Sequence, residues 1–509
     1  MIYNNQGVKK ITIITKERNL KMKKNNMYFV HILIGLAIMF VFRFIPVGIL
    51  PHVTEVGMQI LGIFIGTIYL WTTIDPTVSS LISISMIAYS DYAAAGAVLT
   101  AWFGNPVLVQ MMFLMIFTGG LTNRRLTAYI GRWIMTRKFI EGKPWVFTTV
   151  ICFGTYIMSS FIGCFAPIFL FWPILTDVFE EIGFTKEDKY PKQMLMAVVM
   201  SALVGFPVPP WMANGLALLS NFRGIVTNFG PIADATISNG SYFIFTFTMG
   251  CILVASLVLV MKFIFRPDVT PLKKVTIEML NKNPLPPMNK AQKIYGVALI
   301  AFICLMLFPS LLPTLPVLSF INANSYVTCT VLVVVLLALK DDEGKPVLNF
   351  SAVMAKDFAW PTFWLCAVAI LIGSVLTNES TGITPFLNAI LGPVFNGMSG
   401  VMFAVVFLLL AIVLTNICNS LVIGMIMQPV ILTYCASSGT NPAPYITLLI
   451  FTVLLSAACT PAASPFAAMM FGNDRIGAGE IYKRSLVWVA VEAVLIIVIG
   501  IPFATMLLG

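Results

Sequence analysis

The chain of 509 residues is 59% hydrophobic and 10% charged, with a mean hydropathy of +0.92, whereas a soluble domain carries about 25% charged residues. That excludes a soluble globular protein and points to one polytopic membrane unit. The net charge of +10 is spread over short segments between apolar runs, without a basic face interleaved by aromatics, so a nucleic-acid partner is excluded too.

Residues 1–27 form a basic segment ahead of Tyr28–Ile45. It looks like the start of a signal peptide, but no small-x-small cleavage site follows, so 28–45 reads as an uncleaved first transmembrane helix. Apolar runs at 57–73, 77–95, 105–121, 193–221, 241–261, 294–312, 325–339, 360–378, 445–471 and 486–508 complete eleven candidate crossings. Stretches 146–176 and 401–436 exceed the ~20 residues that one helix needs. Both carry small and polar residues at their middles and read as re-entrant helical hairpins. The nine cysteines fall in or beside apolar stretches with no CxxC, as buried small hydrophobes do.

Lys and Arg concentrate on the cytoplasmic side of a membrane protein. If both hairpins return to the side they start from, the inner segments 1–27, 122–145, 177–192, 262–293, 340–359 and 472–485 hold 29 of the 31 basic residues, leaving Arg43 and Arg223. The re-entrant piece of the first half is then 146–176, although 193–221 in that role satisfies the same parity. The N-terminus is expected inside and the C-terminus outside, in the plasma or inner membrane of the cell.

The chain also repeats itself. Leu121-Thr122-Asn123 recurs as Leu376-Thr377-Asn378, Pro173 matches Pro429, Pro209 matches Pro465, and Ser159 stands opposite Thr415. The first hairpin starts inside and the second outside, so the repeats are inverted, an arrangement that secondary transporters use to build a midplane site. The expected organisation is a cytoplasmic basic segment 1–27, a first repeat 28–261, a cytoplasmic linker 262–293 and a second repeat 294–509. The expected fold is all-α and polytopic: eleven transmembrane helices plus two opposed re-entrant hairpins in an inverted-topology repeat.

Each hairpin is paired with a broken crossing. Ser159 to Pro167 lies mid-hairpin, and Pro207-Val208-Pro209-Pro210 interrupts the run from 193. In the second half Thr415 to Ser420 is followed by Thr460-Pro461-Ala462-Ala463-Ser464-Pro465. Irregular backbone at membrane depth persists only where it is buried in protein or lines a wet cavity. Broken helix ends offer free N–H groups to an anion and free carbonyls to a cation. No Lys, Arg, Asp or Glu lies in these four segments, so a bound anion is held by amides and hydroxyls. Elsewhere in apolar runs stand Arg43, Asp75, Asp91, Glu379 and Glu492; only Glu492 lies well inside a crossing.

No HExxH, GxSxG or phosphate-cradling GxxxxGK[ST] motif is present, so neither an enzyme nor an ATP-driven pump is expected. The function read from the chain is a secondary active transporter of a small organic anion, cation-coupled or anion-exchanging. An anion channel, or a carrier of a neutral or monocarboxylate solute, is the alternative.

Together with Pro46 to Gln59 (PVGILPHVTEVGMQ), these features resemble the divalent anion/sodium symporter family over essentially the whole chain from residue 28. The resemblance implies eleven crossings with two opposed hairpins, a homodimer, sodium as coupling ion, a dicarboxylate, tricarboxylate or sulfate substrate, and an elevator-like motion of the hairpins and broken helices against a scaffold. The scaffold comprises the four N-terminal helices and those at 294–378. The family's Ser-Asn-Thr triplet falls on Gly163-Cys164-Phe165 and Asn419-Ser420-Leu421, with Ser159 and Thr415 retained upstream. The resemblance assigns substrate contact to Ser160, Gly163, Cys164, Pro209, Asn419, Ser420 and Thr460, and sodium sites to Ser159, Gly205, Thr415 and Cys418. Phe165 and Trp211 make one side of the site apolar, which favours an organic anion over sulfate.

Overall fold

The computed structural model describes residues 27–280, 285–312, 314–395, 397–417, 419–461, 463–473 and 475–509. In chain order the helices are α1 (Met27–Phe44), α2 (Glu55–Thr73), α3 (Pro76–Ala88), α4 (Ala95–Phe103), α5 (Pro106–Asn123), α6 (Leu126–Met135), α7 (Pro144–Phe161), α8 (Phe165–Glu181), α9 (Lys189–Gly205), α10 (Ala213–Ile225), α11 (Asn239–Leu259), α12 (Ile277–Leu280), α13 (Lys290–Leu311), α14 (Pro316–Ala323), α15 (Ser325–Ala338), α16 (Phe350–Lys356), α17 (Trp360–Leu376), α18 (Ile383–Phe395), α19 (Gly400–Thr415), α20 (Ser420–Ser438), α21 (Ala443–Leu455), α22 (Pro465–Phe471), α23 (Ala478–Leu495) and α24 (Ile501–Leu508). Among the described residues no strand occurs beyond one isolated bridge between Lys340 and Pro346.

Eight spans among these residues are long and apolar enough to cross a membrane: α1, α2, α5, α7, Asn239–Phe265, α13, α20 and Ala478–Leu508. The run 77–95 contains only the 13-residue α3, and α14 meets α15 at 89°. Length alone therefore supports fewer full crossings than the eleven apolar runs suggest.

The chain divides into two compact units. One holds α1–α4 and α17. There Asp75 caps α3 ahead of Pro76, its carboxylate accepting from the N–H groups of Thr77 and Val78. Small residues let the helices approach closely: a Cβ on Gly62 would overlap Phe42 Cβ, and one on Gly66 would overlap Met39 Cγ. The Thr67 and Ser83 hydroxyls pair at 2.7 Å between α2 and α3.

The second unit holds α5–α16 and α19–α24. Here α7 and α8 form a helix–turn–helix around residues 162–164, and α19 and α20 form another around 416–419. The helices from Lys189 and from Ala443 break at 206–212 and 456–464, then resume as α10 and α22. The prolines explain the interruptions, since they lack an N–H and clash with the preceding turn. In the first break the carbonyls of Pro207 and Val208 instead accept hydroxyls from Tyr242 and Thr246 of α11, at 2.8 Å each. Two carbonyls of the first break are thereby satisfied by side chains.

Candidate functional site

The first turn packs against the first break. Ser159 Oγ donates to the Ala202 carbonyl at 2.6 Å, and Cys164 Sγ lies 2.8 Å from Ser159 Oγ and 3.3 Å from the same carbonyl. Ala202 belongs to the last turn of α9, whose carbonyls have no partner within the helix. The turn therefore caps the broken end. This closeness depends on Gly205, where an added Cβ would lie 2.6 Å from the Tyr156 carbonyl oxygen and 2.8 Å from Ser159 Cβ. Gly163 turns the chain with φ at +126°, a conformation that suits glycine.

The second turn repeats the device with more polar groups. Thr415 Oγ1 donates to the Val453 carbonyl in the last turn of α21 at 2.8 Å. Asn416 does the rest. Its Nδ2 donates to the carbonyls of Ile412 and Ser456 at 2.9 Å each, and its Oδ1 accepts the Cys459 N–H at 2.8 Å. Its own carbonyl accepts the Thr460 hydroxyl at 2.6 Å. Asn419 caps α20 by accepting from Leu421 N at 2.9 Å, and Ser464 caps α22 through Ala467 N at 3.1 Å. By contrast α8 and α10, which start at the equivalent places of the first half, begin at Cys164 and Met212 without any side-chain cap bond.

At the turns the halves meet through aromatic rings. Phe165, at the start of α8, lies 4.6 Å from Phe466 of α22, and Phe206 of the first break lies 5.5 Å from the same ring. Farther along, buried Asn221 of α10 donates to Gln428 Oε1 at 2.7 Å, and Gln428 Nε2 donates back to the Leu218 carbonyl at 2.9 Å. The return arm of the second helix pair is thus fastened to the first broken helix.

Of the residues singled out from the sequence, Ser159, Cys164 and Gly205 come together at the first turn, and Thr415 and Thr460 at the second. Ser160 bonds back to the Tyr156 carbonyl of its own helix at 2.9 Å. Pro209 is buried within the first break, and Ser420 is buried at the start of α20. Cys418 lies outside the described residues. Trp211 packs against Phe243 and Phe302, with ring centroids at 5.9 and 6.1 Å. Phe165 remains 43% exposed beside Phe466. Sequence reasoning missed Asn416, whose signal was its place beside Thr415 in the polar run, and Gln428, which directly precedes the landmark Pro429. A polar cleft of about 600 Å³ over Arg124, Asp341, Lys345 and Asn349 contains none of the turn residues.

Residues 26–509 match the model of the sodium:sulfate symporter transmembrane region. The chain belongs to the sodium:sulfate symporter family. Members of this family are transporters of anions and not enzymes, and the match fits the membrane-spanning character of the helices. No curated protein matches the chain. Among solved structures it is similar to the YdaH transporter of Alcanivorax borkumensis, at 15% identity and a TM-score of 0.55, over 90% of this chain and 98% of that one. At that identity the likeness concerns the fold, which this member of the symporter family shares with a transporter of described unusual topology.

Proposed function

We propose that the protein is a secondary active transporter of a small organic anion, a di- or tricarboxylate, driven by sodium or by exchange for a second anion. The observation that carries this reading is the pair of turns at 162–164 and 416–419, each hydrogen-bonded to the open end of a broken helix. Carboxylate oxygens would be bound by N–H groups at the uncapped starts of α8 and α10 and by the Ser420 hydroxyl, with Ser160 and Thr460, whose O–H groups already bond carbonyls, and Gly163, Cys164, Pro209 and Asn419 forming the walls. Such binding breaks no fixed ion pair on release. Ser159, Gly205, Thr415 and Cys418 would supply oxygens or close backbone approach to sodium. The exposed ring of Phe165 beside Phe466 supports a substrate with a carbon skeleton over sulfate.

In this reading the helix pairs are re-entrant hairpins of inverted repeats 28–261 and 294–509, joined by a cytoplasmic linker 262–293. They move with the broken helices in an elevator-type alternating-access cycle within a homodimer. The N-terminus faces the cytoplasm and the C-terminus the outside. The test is a thermal-shift screen of the purified protein with dicarboxylates, tricarboxylates, sulfate and neutral analogues, with and without sodium, because a ligand stabilises the fold that binds it. A sodium-enhanced shift with a di- or tricarboxylate is expected. A shift with a neutral solute and with no anion would defeat the assignment.

A further inference from the structure

Glu492 of α23 is completely buried, and neither of its carboxyl oxygens has a hydrogen-bond partner. The carboxyl faces the Ser456 hydroxyl and the Trp488 indole, and it lies near the Cys459 thiol. Ser456 Oγ is itself buried and unpartnered. Ser456 opens the second break, and its carbonyl accepts the Asn416 amide. Ile412, Cys459, Val489 and Ala493 form one buried cluster, of which Cys459 lies near the carboxyl. The segment that Glu492 faces is therefore the one stitched to the second turn.

A buried carboxylate that faces only the Ser456 hydroxyl and the Trp488 indole, and forms a hydrogen bond to neither, is unstable; a proton removes its charge and gives it a donor. Nothing charged nearby takes that role among the described residues. α19 and α22 carry no titratable side chain, and α21 carries Tyr445, which groups with Phe403 and Tyr434. On α11, Tyr242 bonds the Pro207 carbonyl and Cys251 engages Tyr156. On α23 itself, Arg484 is held by Glu480 at 2.5 Å, and Lys192 also approaches Glu480, at 3.9 Å. Cys459 is the titratable neighbour that remains. From it the break reaches the surface within two residues, at exposed Pro461.

We propose that Glu492 is a proton-binding site coupled to the second break, carrying a proton while it faces Ser456 and releasing it when the break rearranges and water enters. The step breaks the Glu492 O–H bond, passes the proton to water and leaves a carboxylate; no electrons change hands. Coupling of the proton to anion movement rests on the transporter reading, but the protonation itself does not.

Two measurements on the full-length protein separate these. Infrared difference spectra of wild type against Glu492→Gln should contain a carboxylic-acid C=O stretch at neutral pH that moves in D2O and disappears at alkaline pH. Its absence, carboxylate bands in its place, or an acid band that neither exchanges nor titrates would each overturn the proposal, whatever the protein transports. In proteoliposomes, an imposed pH gradient should accelerate uptake of the anion found by thermal shift at least severalfold in wild type and not in Glu492→Gln, while counterflow survives in both. Equal acceleration in the two proteins would also overturn it. Loss of counterflow in wild type would strike the transporter reading, leaving the infrared result to decide the proton site. Ser456→Ala, which removes no charge, should retain the acid band at a shifted frequency; an unshifted band would show that the hydroxyl is no neighbour of the proton and overturn the coupling to the break.

Discussion

Asn416→Ala tests how the second turn is attached to its broken helix. The substitution removes the amide bonds to the Ile412 and Ser456 carbonyls and leaves the buried Cys459 N–H without its acceptor. A net hydrogen bond contributes about 1 kcal/mol and an orphaned buried donor costs about 1–3 kcal/mol, so the expected loss is about 3 kcal/mol. With an unfolding entropy of about 2 cal/mol/K per residue, a chain this long should melt about 3 °C lower. Thr460→Val, which removes one bond to the Asn416 carbonyl at nearly constant volume, should cost about 1 kcal/mol. Both bonds span the same two segments, so the double mutant should be less destabilised than the sum, by about 0.5 kcal/mol or more. Thermal melting of the four proteins in one detergent gives the cycle. Wild-type melting of Asn416→Ala, or strict additivity, would refute the idea that this residue ties turn to break.

The glycines of the first half should fail for different reasons. Gly205→Ala overpacks against Tyr156 and Ser159 at about 1–3 kcal/mol, and Gly205→Leu should be far worse. Gly163 has open space around an added Cβ but a positive φ, so Ala and Leu there should cost a similar amount, about 1–3 kcal/mol; a steep dependence on size at 163 would contradict the geometry. Asn419→Ala, which also loses a helix cap of about 1 kcal/mol, and Thr460→Ala should reduce uptake far more than exposed Glu55→Ala, and equal uptake in all three would remove the turns from the site. At the loop 340–346, burial opposes ionisation of Asp341, but the N–H groups of Lys345 and Glu343 and then the Arg124 and Lys345 charges outweigh it and hold the carboxyl below its usual range. A lowered folded value means that its contribution is present above the unfolded value and is lost as pH falls through the folded one. Hydrogen exchange of the loop should therefore rise only in that acidic window, and Asp341→Asn should raise it at neutral pH.

The turns and breaks were legible because polar and proline residues inside apolar runs have few structural outlets. Pro207, Pro209 and Pro210 cannot continue α9, and the small residues near Gly163 sit where the chain must reverse. The contacts between segments were not legible. A rigid offset of 256 was fixed by prolines, yet α7 and α19 end at Phe161 and Thr415, an offset of 254, and α8 and α20 start at Phe165 and Ser420, an offset of 255. That register pairs Cys164 with Asn419 as the residues before each return arm, and it directs attention away from Asn416. Nor does hydropathy distinguish a hydroxyl bonded to its own helix, as Ser160 is, from one that caps another helix, as Ser159 does. Both readings place a serine in an apolar run.

The two halves share a backbone plan and differ in what finishes it. In the second half Asn419 and Ser464 occupy the first free amides of α20 and α22, and Asn416 fills the turn with bonds to the break. In the first half Cys164 and Met212 leave the starts of α8 and α10 without a side-chain acceptor, and the thiol beside Ser159 replaces an oxygen. Free amides at a helix start attract an anion, and amides already bonded to a side chain offer it less. On the transporter reading proposed above, this asymmetry would favour the first half for the anion's charged end.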